Sequence, residues 1–460
     1  MISLHVSPHR RSTPLRRGLL GIALVVTGLA SCATYPERTA AAFRDFESGQ
    51  LSQAQAAYAN PNTTGAEFLT YAESGMVALS AGRWDDAITQ LSKAADFSKE
   101  YEDQALLDPE ALGETILSWT INESQTTYRG EGYERVMIHA CLAMAYLGKG
   151  NFSDARVEVR RANGLLESEE KLYKKSYKAG GLGHFVSAMA YELERQGSDA
   201  YIDYSRMVEK DVGVDLAGRA LVRLAKALAR DEDLKQWEAR FGADEERPKD
   251  AASVVVLAGV GIGPYKREIT LPIPTGDGLL QWSVPYYEQR PQAVTDLQLS
   301  AAGGDREVRT VVIEDVGSVA VENLNDRIAW LAAKSAVRAF LKLELTKQLE
   351  KQAEGWGQLL GVLFTFISER ADLRAWQTLP ATWQAARVFL APGRHDLILT
   401  ANGGERVSLG QYELTPGETM FVFARTIGTR LFAHPVGGHR LDGAPAASPQ
   451  DAPAAPASQP

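Results

Sequence analysis

Gly82-Arg83-Trp84-Asp85-Asp86-Ala87 returns 68 residues later as Gly150-Asn151-Phe152-Ser153-Asp154-Ala155. A weaker copy, Gly49-Gln50-Leu51-Ser52-Gln53-Ala54, stands 33 residues before the first. The flanks repeat as well. Tyr71, Gly75 and Ala78 precede one glycine, with Leu91 and Ala94 after it; Leu142, Ala143 and Tyr146 precede the other, with Val159 and Ala162 after it. A glycine before an aromatic residue ends one helix and permits a tight turn into the next. Paired helices approach closely only where Gly or Ala on one admits a bulky side chain from the other. The spacing therefore predicts a helix–turn–helix unit at each copy.

These units resemble tetratricopeptide repeats, whose period is about 34 residues. The resemblance implies an α-solenoid over residues 39–243. A third, less regular unit runs through Phe185, Met189 and Leu193, breaks at Gly197 and resumes at Ala200. Asp215 to Phe241 reads as a closing pair around Leu221, Leu224, Leu228 and Trp237. Between the clear units, Asp108 to Arg129 lacks the repeat's glycine and aromatic, so one unit is degenerate or replaced by a loop. By the family's geometry, Leu69, Met76, Leu79, Met137, Met144 and Leu147 face the concave wall. Such an apolar, methionine-containing groove suits a helix or extended peptide of an envelope protein. The alternative is that these side chains pack against a neighbouring helix or the downstream domain.

Residues 244–252 are charged, contain Pro248 and read as a linker. The pattern then changes to strands: Ser253 to Leu257, Glu268 to Ile273, Val294 to Leu299 and Glu307 to Ile313 alternate or are β-branched between turn residues. A long helix is expected over 323–369, capped by Asn323 or Asn325, with Leu324, Ile328, Leu331, Leu341, Leu345 and Leu349 at helical spacing. Gly355 to Ile367 within it is apolar but only thirteen residues long, short of the roughly 20 that span a bilayer. Pro392-Gly393 and Pro416-Gly417 separate alternating runs and predict a small antiparallel β-sandwich over 385–434. The Ala/Pro-rich tail, 441–460, cannot bury a core. The fold class expected is α+β: a helical repeat domain, then a mixed domain over 253–440.

Asp326-Arg327-Ile328-Ala329-Trp330, Ala336-Val337-Arg338-Ala339-Phe340, Glu369-Arg370-Ala371-Asp372-Leu373-Arg374-Ala375-Trp376 with Leu379-Pro380, and Pro392-Gly393 resemble a group of uncharacterised bacterial lipoproteins. The resemblance implies architecture and location and brings no activity with it. The N-terminus agrees. Arg10, Arg11, Arg16 and Arg17 precede an apolar run from Gly18 to Gly28 and then Leu29-Ala30-Ser31-Cys32. That is the anatomy of an export signal, and the cysteine makes it resemble a lipobox. The other reading is a short membrane helix with an incidental cysteine, but the apolar run is too short to span. The resemblance implies removal of residues 1–31, diacylglycerol and an N-acyl chain on Cys32, and a tether over 32–38. Ala33, where retained proteins carry Asp, implies the outer membrane. No other cofactor is expected.

Losing residues 1–31 removes four arginines and no acid, taking the formal net charge from −9 to −13. An acidic body without a basic cluster argues against nucleic acid. The two cysteines are Cys32 and Cys141; with Cys32 acylated, no intramolecular disulfide forms, and Cys141 reads as a small buried hydrophobe.

Chemistry is thinly signalled. Gly259-Val260-Gly261-Ile262-Gly263-Pro264 lacks the spacing of a nucleotide loop and reads as a turn. His139, His184, His395, His434 and His439 have no metal-ligand spacing. Glu369, Arg370, Asp372, Arg374 and Trp376 form the main polar cluster, which either closes the domain through ion pairs or grips a ligand carboxylate. The function expected is a non-enzymatic, membrane-anchored, periplasm-facing scaffold for protein–protein interaction. The alternatives are a cell-wall or polysaccharide-acting enzyme with its site between solenoid and C-terminal domain, or a surface-displayed adhesin. Cys32→Ser is expected to release the protein from membranes on fractionation; a mutant that stays in the pellet contradicts the acyl anchor.

Overall fold

The computed structural model describes residues 33–108, 127–275, 278–301, 307–334 and 371–441. Helix α1 (Tyr35–Glu47) starts earlier than the expected Thr39. A capping box fixes that start: the Thr34 amide donates to Glu37 Oε2 at 2.7 Å, and Pro36 stands in the first turn. Then come α2 (Leu51–Tyr58), the single turn α3 (Pro61–Thr64), α4 (Glu67–Ser80), α5 (Trp84–Leu107), α6 (Gly132–Gly148), α7 (Phe152–Tyr173), α8 (Gly181–Leu193), α9 (Gly197–Glu209), α10 (Val214–Ala227) and α11 (Asp231–Phe241). Gly82 and Gly150 turn α4 into α5 and α6 into α7 with φ of +68° and +74°, a region where L side chains are strained. Gly75 is a contact point: a Cβ there would lie 2.7 Å from Leu91 Cγ. That is the small-against-large fit predicted from the repeat.

The chain then forms β1 (Ala252–Val260), β2 (Tyr265–Thr275), β3 (Gly278–Glu288), β4 (Leu297–Ala301), β5 (Glu307–Arg309) and β6 (Val311–Asp315). After α12 (Val316–Lys334) come β7 (Thr382–Leu390), β8 (Gly393–Ala401), β9 (Arg406–Leu414), β10 (Thr419–Ile427), β11 (Arg430–Val436) and β12 (His439–Arg440). One sheet has the order β11-β10-β1-β7-β6, a second β12-β9-β8-β4-β5, and β2 and β3 form a separate hairpin. The mixed α+β class holds, but three expectations need correction. The sandwich is larger than 385–434, because β1 and β4 to β6 belong to it. It is not wholly antiparallel, since β1 runs parallel to β10. The helix begins at Val316, where the Asp315 carboxylate accepts the Ser318 amide at 2.9 Å; Asn323 is buried instead and donates to Glu169 at 3.0 Å.

All nine residues of β1 are buried. Val254, Val256 and Ala258 pack toward the second sheet, while Val255 and Leu257 join the cluster formed with the helices. A strand buried on both faces reads as a continuous apolar run, as Ala-Ser-Val-Val-Val-Leu-Ala-Gly-Val does. The result is three layers: helices, first sheet, second sheet.

That layering closes the expected groove. Leu69, Met76, Leu79, Met137, Met144 and Leu147 are each 4 % exposed or less. Met76, Leu79 and Met144 share their surroundings with Trp383 and Phe423 of the first sheet; Met137 meets Val319 of α12. Trp84, the repeat aromatic, sets its ring edge-on to Phe423 at 4.9 Å. A broad apolar wall is costly to leave in water, and a sheet on the same chain covers it intramolecularly. The groove is core.

Polar groups buried at the same junction are met by backbone. Glu73 of α4 accepts the amides of Gln377 at 2.7 Å and Thr378 at 3.0 Å, and the Tyr35 hydroxyl at 2.8 Å. Burial pushes its carboxyl up to about 7, against the pull of those hydrogen bonds. Glu314 of β6, which accepts the Leu182 amide at 3.2 Å at the start of α8, is raised to about 7 by burial in the same way. An unfolded glutamate titrates near 4.5, so between those values the folded chain holds protons that the unfolded chain has released. Stability is full below about 4.5 and falls as pH rises through 7, by on the order of 1 kcal/mol per pH unit for each group. Urea midpoints are expected to drop from pH 5 to pH 7.5, and Glu73→Gln to flatten the drop; an unchanged slope in the mutant contradicts the assignment.

Candidate functional site

A cleft of about 630 Å³ opens where α10, residues 242–247 and the first sheet meet. Its size falls within the range of ligand and peptide pockets. The sheet topology makes it. Strand β6 pairs with β7 only from Thr382 to Ala385, while β1 pairs with β7 as far as Leu390. Past Ala385, Ala386–Val388 therefore have no ladder partner on that side among the described residues, and Ala386 to Phe389 line the cleft together with Glu307 to Arg309 of β5.

Electrostatics at this wall centre on Glu192 and Phe389. Glu192 accepts Arg387 Nη1 at 2.9 Å on both oxygens, Arg223 at 2.7 Å and the Tyr204 hydroxyl at 2.9 Å. Burial works against its charge, but Arg387 and Arg223 hold its carboxyl down at about 2. Removing one partner of such an arrangement leaves an unpaired buried charge. The guanidinium groups of Arg387, Arg247 and Arg223 lie 4.8, 5.3 and 5.7 Å from the centre of the Phe389 ring, within cation–π range. Arg247 is also held by both oxygens of Asp244, at 2.8 and 2.9 Å. Arg219 and Arg309, at the opening, have side chains 66 % and 65 % exposed. The cleft thus combines a strand edge that has left the β6 ladder, the ring of Phe389 and arginines held by carboxylates.

The residues singled out from sequence fall elsewhere. Cys32, Glu369 and Arg370 lie outside the described residues. Asp372 and Arg374 are brought together, but as partners of each other, with Arg374 Nη2 and Asp372 Oδ2 2.8 Å apart; Arg374 also lies 4.9 Å above the Tyr128 ring. Trp376 is buried, its amide donating to Glu134 at 2.7 Å and its indole to Thr378 at 3.2 Å. The Asp372–Arg374 pair is local to its own loop, whereas the Trp376 amide reaches across to α6. The glycine run 259–263, expected as a turn, starts inside β1, which ends at Val260, and the chain leaves the strand only at Gly261; it has a duty of its own. Arg425 is 2 % exposed and donates to the carbonyls of Gly259 at 3.2 Å, Thr378 at 3.1 Å and Thr426 at 2.7 Å, and to Gly261. Burial without a carboxylate pulls its guanidinium down to about 9. His139 is buried between Glu158, 2.5 Å from Nδ1, and Glu102, 3.0 Å from Nε2. Burial opposes its charge, yet the two carboxylates raise its pKa.

Glu73, Glu134, Glu192 and Arg425 were missed at the level of sequence. Glu73 carried a signal: an acid standing among Phe68, Leu69, Ala72 and Met76 on an apolar helix. Arg425, directly after Phe421-Val422-Phe423-Ala424, carried the same one. The cleft-lining stretch of β7 had none, because it depends on where β6 stops. Compared with family models, curated protein sequences and solved structures, the chain matches none of them.

Proposed function

We propose that the chain is a lipid-anchored protein of the outer membrane, facing the periplasm, whose helical half is a tetratricopeptide-like solenoid. On this reading it is a non-enzymatic scaffold, and an extended segment of an envelope protein enters the cleft beside β7. The observation that carries this is the stretch Ala386–Val388, where β7 runs on past its ladder with β6 in the wall of a cleft of about 630 Å³. An unpaired edge offers main-chain donors and acceptors to an added strand, and flanking side chains then select its sequence. Arg387 and Phe389 lie on the helix side of that edge, and Val388 packs toward the second sheet. The partner site is thus moved from the concave wall, which the sheet fills, to the end of the helical array.

The anchor is supported by the start of α1 at Tyr35, three residues after Cys32. At about 3.5 Å per residue such a tether reaches only roughly 10 Å, so an acylated Cys32 holds the body against the bilayer. No helix among the described residues is long and apolar enough to cross a membrane.

A photo-cross-linking residue placed at Arg219 or Arg309 is expected to yield one discrete protein adduct in living cells, while one at Val157, on the exposed side of α7, yields none. Binding of that protein to the purified chain should slow amide exchange in residues 386–390. The same adducts at all three positions, or exchange left unchanged, contradict the edge as the site. Turnover of cell-wall fragments by the purified chain would replace the scaffold reading with an enzymatic one.

A further inference from the structure

A small polar cavity of about 50 Å³ lies at the start of α6. Arg129, Arg135, Arg327 and Arg374 line it, against Glu131, Glu169 and Asp372. Four cations thus face three carboxylates, on a chain whose formal net charge is −9. Lys266 and Glu134, buried against Tyr128, add one charge of each sign and leave that surplus in place. Each lining carboxylate is already taken. Arg327 and Lys266 bond Glu131, Arg135 bonds Glu169 at 3.1 Å, and Arg374 bonds Asp372 at 2.8 Å. Arg129 is the least neutralised. Its ion-pair partner among the described residues is Glu100, 3.8 Å away with a side chain 84 % exposed, and such exposed pairs contribute little.

Arg129, Arg327 and Arg374 reach the cavity from three separate segments: the residues before α6, α12, and the residues before β7. Their side chains are 27, 25 and 25 % exposed, so each is partly open to water. Aromatic rings hold two of them in place. The Arg129 guanidinium lies 4.7 Å from the centre of the Tyr101 ring and 5.6 Å from that of Phe97, and Arg374 lies 4.9 Å from that of Tyr128. Stacking of this kind fixes a flexible side chain before a ligand arrives, which reduces the entropy lost on binding. Gly130 to Gly132 line the cavity too, at the end of α6 where the helix dipole is positive.

We propose that this cavity binds the phosphate group of a phosphomonoester, with Arg129, Arg327 and Arg374 as its donors. The arrangement of charge selects the ligand. A carboxylate presents two oxygens, which a single arginine fork satisfies. Three guanidinium groups on three segments suit the three terminal oxygens of a phosphate, whose charge of about −1.5 to −2 draws on the positive surplus. The cavity has room for a group of a few heavy atoms and is far below the roughly 300 Å³ at which ligand pockets begin, so the molecule that carries the phosphate stays outside. The site shares no lining residue with the β7 cleft, and it requires neither the strand-edge reading nor the acyl anchor.

The test is calorimetric titration of the purified full-length chain, in phosphate-free buffer at constant ionic strength, with inorganic phosphate, glycerol 3-phosphate and acetate. Both phosphates are expected to fill a single saturable site, with acetate roughly tenfold weaker or more. Arg129→Gln removes the guanidinium with the weakest carboxylate pairing and is expected to weaken phosphate binding by roughly tenfold, with the ligand-free melting temperature little changed. Arg394→Gln, on β8 with a side chain 78 % exposed, should leave the affinity as it is. Absence of a saturable phosphate site overturns the proposal. So does acetate binding as tightly as phosphate, which would make the site one for carboxylates, and so does equal weakening by the two substitutions, which would reduce the effect to general surface attraction. If Arg129→Gln fails to fold, Arg374→Gln takes its place, and the comparison of phosphate with acetate on the unaltered chain still decides.

Discussion

A strand with no polar face is the constraint on which the rest depends. Residues 252–260 of β1 are buried along their whole length, so the sheet that contains them needs an apolar cover on each side. One cover is the second sheet. The other is the inner wall of the helical array, whose methionine and leucine stripe would otherwise face water. Two surfaces that are each costly to leave exposed satisfy one another. The apolar cluster accordingly runs without a break from Tyr35 in the first helix to Phe423 in the first sheet.

Polar groups then fix how the layers meet. Buried apolar area is non-directional, whereas a carboxylate that needs amides accepts few arrangements. Glu73 and Glu134 each receive backbone from 376–378, Arg425 gathers the carbonyls around Gly259 and Gly261, and Glu192 joins α8, α10 and β7 through two arginines. Close backbone approach does the same elsewhere: a Cβ on Gly181 would lie 1.7 Å from the Ile313 carbonyl oxygen, so α8 meets β6 with no side chain between them. These contacts leave β7 paired with β1 along its inner edge and, on its outer one, with β6 only as far as Ala385 among the described residues. The candidate site is a by-product of how the layers close.

Much of the local structure was legible in the sequence. The 68-residue recurrence located two helix pairs, Pro392-Gly393 and Pro416-Gly417 located two turns, and the alternating runs located most strands. What escaped was long-range pairing. Val254 and Val255 look alike in a β-branched run, and nothing local says that one faces a sheet and the other a helix. The parallel partner of β1 lies more than 160 residues away. The methionine stripe was compatible with a groove or a core, and the covering sheet decided for core. At the site the limit was sharper: arginines are common on surfaces, and only the fold brings Arg223, Arg247 and Arg387 to one phenylalanine ring.

The central claim is that helices and sheets form one cooperative body in which the inner wall of the helical array is filled by the first sheet. Cutting the chain once within residues 244–250, at an engineered protease site, tests it directly. The account predicts that the two fragments stay associated without denaturant and unfold in a single calorimetric transition whose van't Hoff and calorimetric enthalpies agree. Separation of the fragments on a sizing column, or two resolved transitions, would contradict it.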